Sequence, residues 1–238
     1  MVTAATKFDT ANEVLAMEAR LISAAAPAAG ESRIDERLAY ALLLLADKED
    51  DALVRLRQAK QSWEYSSHPG YLVAPYLLML AFQPARVQLA PASILAAVFD
   101  AIDGPREYGW QWLTPAGYDT VDEDVGRRAT PGLAEILRKH ISLRLADDDQ
   151  RRGWLTTAQA LSENAVTEVV GATRRGAYLL VARLAAAYAE AMAITGGRGS
   201  DSLEVLRQRY PRHRAFRAEL DQAARDSPYL STPPLQRW

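Results

Sequence analysis

The strongest constraint on this chain is an alanine-lined apolar stretch from Arg175 to Ile194, with its sequel down to Asp226. After Arg175, apolar residues recur at Ala177, Leu180, Val181, Leu184, Ala187, Tyr188, Ala191 and Met192, mostly at steps of three and four. That is the period of one helix face. Ala185, Ala186, Ala187 and Ala189 sit among them. Alanine combines the highest helix propensity with little bulk, so neighbouring backbones can approach closely. This helix is therefore expected at the middle of the domain. Gly196-Gly197 ends it, since glycine accepts the left-handed geometry of a helix C-terminus. Asp201, with Glu204 three residues on, has the spacing of a reciprocal cap and predicts the next helix start. Leu203 and Leu206 would face inward. Pro211 ends that helix, because proline disfavours α geometry at the residue before it. A third helix is expected from about Arg212, with Ala215, Phe216, Leu220 and Ala223 inward, closing at Ser227-Pro228.

The rest of the chain repeats the pattern. A helix is expected from Asp9 or Thr10, both good N-caps, with Val14, Met17 and Leu21 inward. Residues 25–30, with Pro27 and Gly30, read as a linker. Ser32 caps a helix striped by Ile34, Leu38, Ala41, Leu42 and Leu45, and after the acidic turn Asp47–Asp51 another carries Leu53, Leu56, Ala59 and Trp63. The run Ser66-Ser67-His68-Pro69-Gly70 predicts a turn. Helices follow at Pro75–Phe82 and Pro91–Ile102, each with proline at or near its first turn. Thr130-Pro131 opens a helix striped by Leu133, Ile136, Leu137, His140 and Ile141. Asp147-Asp148-Asp149 suits the positive N-terminus of the next, whose inner face is Leu155, Ala158, Leu161, Ala165, Val166 and Val169.

Residues 105–130 break the periodicity. They hold Tyr108, Trp110, Trp112 and Tyr118 together with Gly109, Pro115, Gly117 and the acidic Asp122-Glu123-Asp124. Long irregular segments in compact domains are often functional or mobile, and tryptophan and tyrosine are enriched in binding hot spots. The alternative is an aromatic lid folded back on the core. The expected fold is all-α: stacked antiparallel helices in one domain of 238 residues, with one irregular aromatic loop. It divides at most into residues 1–104, the loop 105–130, and residues 131–238.

Composition closes off several chemistries. With no cysteine, disulfides, thiol catalysis and cysteine-based zinc sites are excluded. His68, His140 and His213 lie far apart in sequence, so no metal or other cofactor is expected. His140 reads as a hydrogen-bonded structural histidine on an apolar face. Gly196-Gly197-Arg198-Gly199 lacks the preceding strand and following lysine of a phosphate loop. No uninterrupted apolar run reaches the roughly 18 residues of a bilayer span, and the first residues lack an export signal. A cytoplasmic protein without a membrane partner is the expectation.

The charge is unevenly spread. Residues 1–150 carry 15 Lys+Arg against 22 Asp+Glu, while residues 151–238 carry 13 against 8, and all 13 are arginine. The basic run Arg207, Arg209, Arg212, Arg214 and Arg217, with His213 and the interleaved Tyr210 and Phe216, is a candidate contact surface. Its plainer reading is a set of solvated arginines and intramolecular ion pairs. A nucleic-acid partner is not favoured, because the whole chain is not basic. Arg207 and His213 also stand at about the spacing of helical ribonucleases of the HEPN type, where such a pair brackets a phosphate, but Pro211 falls between them. The acidic runs Asp47–Asp51 and Asp119–Asp124 could hold magnesium, as in helical prenyl-diphosphate enzymes; solvation and helix capping is the simpler reading.

Two segments, Arg174-Arg175-Gly176-Ala177-Tyr178 and Tyr210-Pro211-Arg212-His213-Arg214-Ala215-Phe216-Arg217-Ala218-Glu219-Leu220, resemble the C-terminal helical part of bacterial proteins with a SWIM-type zinc finger. The resemblance covers about residues 165–225. The family's zinc-binding cysteines have no counterpart, so zinc is not carried over. What it implies is an α-helical, repeat-like scaffold for contacts with other macromolecules. The expected function is a scaffold or adaptor binding another protein, through Tyr108, Trp110, Trp112, Tyr118, Arg207, Arg209, Arg212, His213 and Arg214. The alternative is a helical enzyme acting on a phosphate-bearing substrate, by HEPN-like RNA cleavage or prenyl-diphosphate chemistry.

Overall fold

The computed structural model describes residues 32–82, 89–103 and 132–230. The expected first helix, the 25–30 linker, the aromatic loop with Tyr108, Trp110, Trp112 and Tyr118, the Asp119–Asp124 run and the Thr130-Pro131 cap lie outside the described residues. Among these residues all regular structure is helical: α1 (Ser32–Leu45), α2 (Glu49–Leu56), α3 (Gly70–Phe82), α4 (Ile94–Asp100), α5 (Leu133–Leu143), α6 (Asp148–Gly171), α7 (Tyr178–Ile194), α8 (Gly199–Arg209) and α9 (Arg214–Asp226). Short 3-10 turns at Ala101–Asp103 and Arg175–Ala177 extend α4 and lead into α7.

Two helices share the centre. α7 touches α3, α4, α6, α8 and α9, and Ala182, Ala186, Ala187, Ala189 and Ala191 are buried along it. The stretch Arg175–Ile194 is long and apolar enough to cross a bilayer, a test that a buried core helix also passes, and two thirds of its most apolar window is buried. α3 is buried on every side, from Leu72 through Phe82, as expected of a helix apolar all round. It starts at Gly70, five residues before the expected start, and Pro75 lies inside it. The Ser66–Pro69 turn supplies that earlier start, because the Pro69 carbonyl accepts from the N–H groups of Leu72 and Val73 at 2.9 and 3.0 Å.

Local chemistry sets the other ends. After α7, Gly196 adopts φ +91°, the Gly197 N–H bonds the Met192 carbonyl at 2.8 Å and the Gly196 N–H bonds that of Ala193 at 3.2 Å. This is a Schellman closure. At the start of α6, the Asp147 carboxylate accepts from the Gln150 N–H at 2.8 Å, and the Gln150 side chain accepts from the Asp147 N–H at 3.1 Å. α8 begins at Gly199, two residues before the expected Asp201, and no side chain caps it. Gly199 seats α8 on α7: a Cβ there would run into the Ala189 carbonyl. Asp201 instead falls in the first turn, where its charge complements the helix dipole. α2 ends at Leu56, so Ala59 and Trp63 lie beyond it rather than on its face. In α1 the buried residues are Ala39, Tyr40, Ala41, Leu43 and Leu44, with Leu38, Leu42 and Leu45 only half-buried; on α9, Ala215 is exposed.

One charged side chain sits wholly inside. Glu190 on α7 is 0% exposed. Its carboxylate accepts from Ser93 Oγ at 2.8 Å, the Ile94 N–H at 3.0 Å, the Leu95 N–H at 2.8 Å and Ser227 Oγ at 2.6 Å. The Ser93 hydroxyl in turn caps α4 through the Ala96 N–H. The carboxylate therefore satisfies N–H groups that the first turn of α4 leaves open, and joins α4, α7 and the end of α9.

Candidate functional site

The two segments singled out around Arg174 and Tyr210 meet in space. The Tyr178 hydroxyl lies 3.4 Å from His213 Nδ1, and its ring packs edge-on to Phe216 at 5.9 Å. Tyr210 stands edge-on to both His213 and Phe216, at 5.7 and 5.9 Å. The Tyr210 hydroxyl also reaches Thr167 Oγ1 at 3.4 Å. Tyr178 and Phe216 are buried. The α8–α9 turn is thus fixed to the start of α7 and the last turns of α6 by an aromatic cluster.

Arginines surround that cluster, in two groups. Arg207 is neutralised: its Nε donates to Asp221 Oδ1 at 2.7 Å and its Nη1 to Glu204 at 3.3 Å. Arg209 faces Glu163 at 3.6 Å, and Arg174 faces Glu64 at 3.4 Å. Arg217 donates to the Pro211 carbonyl at 3.2 Å, holding the turn. Arg175, Arg212 and Arg214 are exposed and make no ion pair with any described residue. The fold brings Arg175 to the α8–α9 turn, although 37 residues separate it from Arg212. It does not leave Arg207 and His213 as a free pair around a phosphate, since one is held by carboxylates and the other by Tyr178.

A second cluster escaped the sequence reading. Trp63, His68 and Tyr71 come together between α2 and α3. The Trp63 and His68 rings stack at 4.0 Å, and Tyr71 meets Trp63 edge-on at 5.1 Å. His68 Nδ1 accepts from the Gly70 N–H at 3.0 Å, and the Tyr71 hydroxyl donates to the Trp63 carbonyl at 2.7 Å. Glu168 on α6 accepts from the Trp63 N–H at 3.0 Å and the Ser62 hydroxyl at 2.7 Å. Gly70 is required here, because a Cβ would enter the Trp63 ring. The Ser-His-Pro-Gly turn with a tryptophan five residues before the histidine was the available signal.

Burial lowers the His68 pKa from 6.5 to about 4, partly offset by the nearby Glu168 charge. The unfolded chain therefore binds this proton first as the pH falls. The stabilisation is complete above about pH 6.5 and is lost on descending to about pH 4. We expect on the order of 2–3 kcal/mol to disappear over that window, read as a falling urea midpoint. His68→Asn, an uncharged acceptor, should remove that part of the slope; equal slopes in both proteins would refute the assignment.

Within the acidic run Asp47–Asp51, Asp47 and Glu49 are spent on the fold. Asp47 takes a left-handed φ of 58° and accepts from Arg144, with His140 Nε2 at 3.0 Å. Glu49, buried, accepts from Arg144 at 2.6 Å, and the Arg144 guanidinium lies over the Trp154 ring. This ties the α5–α6 connection to the α1–α2 turn, and His140 has the structural role expected. Among the described residues no three His, Asp or Glu side chains are placed to hold an ion together. A cleft of about 80 Å³ between α6, α7 and α8 is lined by Gln159, Glu163, Tyr188 and Val205, against roughly 300 Å³ for the smallest usual ligand pockets. No family model, curated protein or solved structure matches this chain.

Proposed function

We propose that this chain is a cytoplasmic helical scaffold that binds another protein at the corner where α7, α8 and α9 meet. One observation carries the reading: Arg175, Arg212 and Arg214 stand exposed without an ion pair to any described residue, on backbone held by the Tyr178–His213–Phe216 cluster. Arginine rims on rigid elements suit interfaces, because a planar guanidinium loses less freedom per hydrogen bond formed. The two segments that resemble the SWIM-associated helical region are the two that build this corner. The phosphate-enzyme alternative draws no support from Arg207, whose charge is already taken by Asp221 and Glu204.

The test is a photo-crosslinking residue at position 214, with a control at position 152, exposed at the far end of α6. Illumination in cells of the source organism should give a discrete protein adduct from 214 and none from 152. Adducts to nucleic acid alone, or the same adducts from both positions, would overturn the reading.

A further inference from the structure

We propose that the corner recognises a short carboxylate-rich peptide segment of its partner, with Arg175, Arg212 and Arg214 as the contacts; this rests on the scaffold reading above. The reason lies in what surrounds the three arginines. On the α6 side, Arg209 is matched to Glu163 and Arg174 to Glu64, and Glu168 stands beyond them, accepting from the Ser62 hydroxyl and the Trp63 N–H. Along the helices, Arg207 is matched to Glu204 and Asp221. At the α8–α9 turn and the facing start of α7, the exposed arginines without an ion pair to any described residue are Arg175, Arg212 and Arg214, and on the α6 side carboxylates border them. Arg183, Arg198 and Arg225 are further such arginines elsewhere on α7, before α8 and at the end of α9.

A long polyanion needs a continuous basic track, since its affinity grows with the number of phosphates neutralised. Toward α6 such a backbone would leave the three arginines and meet carboxylates, Glu168 among them without an ion pair to any described residue. A short acidic segment ends within the patch and meets no repulsion. Each guanidinium can grip a carboxylate with two parallel N–H donors. Because the three sit on elements tied together by Tyr178, His213 and Phe216, little ordering is left for binding to impose.

The experiment is fluorescence anisotropy at low salt. The probes are a labelled peptide of about twelve residues alternating Asp/Glu with Gly/Ser, and oligouridine of the same length. The expected result is saturable peptide binding, weakened at least about tenfold in the R175E/R212E/R214E protein, little changed in R151E/R152E, and tighter than oligouridine. All five positions are solvent-facing or half-exposed, and circular dichroism checks that each variant folds; R175Q/R212Q/R214Q stands in should the reversal fail. Absent peptide binding, equal binding by the triple variant, or tighter oligouridine binding would overturn the inference. A protein adduct at position 214 alongside any of these leaves the scaffold reading standing, so the two fail separately.

Discussion

Replacing Glu190 by alanine is expected to destabilise the fold by about 3–5 kcal/mol, most of the margin of a typical domain. The substitution strips the acceptor from two hydroxyls and two N–H groups in a site closed to water. An orphaned buried donor costs its full desolvation, about 1–3 kcal/mol, and here several are orphaned at once. Glu190→Gln fills the same space but turns one acceptor into a donor. It would face either Ser93 Oγ and the Leu95 N–H, or the Ile94 N–H and Ser227 Oγ. Its cost should be about half that of alanine. Urea unfolding checks both. A loss below about 1 kcal/mol for Glu190→Ala would show that the carboxylate is not the tie we describe.

The second large effect belongs to Gly199. Adding a methyl there sets it against the Ala189 carbonyl, with Leu230 behind. The Leu230 methyl can swing aside, but the Ala189 carbonyl is backbone and cannot, so α8 must shift from α7. Gly199→Ala should cost about 3 kcal/mol, the upper part of the range for overpacking. Gly153, inside α6, meets nothing within 4 Å. The same substitution there should stabilise by about 0.5–1 kcal/mol through lower helix entropy cost. Opposite signs in thermal unfolding would separate close packing from propensity; a common sign would refute the account.

Local signals were readable from the chain, and distant pairings were not. Gly196, the Asp147 cap and the halt at Pro211 act through neighbours a few residues away, and the structure keeps all three. Pro75 misled because proline at a helix start looks the same as proline inside a helix that began earlier. Glu190, in a run of alanines, has no local sign of its role; its donors come from 95–97 residues upstream and 37 downstream. Trp63 fitted the period of α2, yet that helix stops at Leu56. At the candidate site, Arg212, His213 and Arg214 stand together in sequence and were visible as a run. Arg175 joins them only through the Tyr178 contacts. The partner of Arg207 was not legible because Asp221 lies on the following helix. Tyr108, Trp110, Trp112 and Tyr118 fall outside the described residues, and the structure neither adds to nor subtracts from them.

No lysine follows Lys139 in this chain. A guanidinium stays protonated at any pH a cell reaches, so Arg175, Arg212 and Arg214 cannot be silenced by alkalinity. Nor can acetyl transfer to an ε-amine, the commonest way of erasing a positive side chain, act on them. The positive charge of this corner is therefore independent of pH and of lysine acetylation.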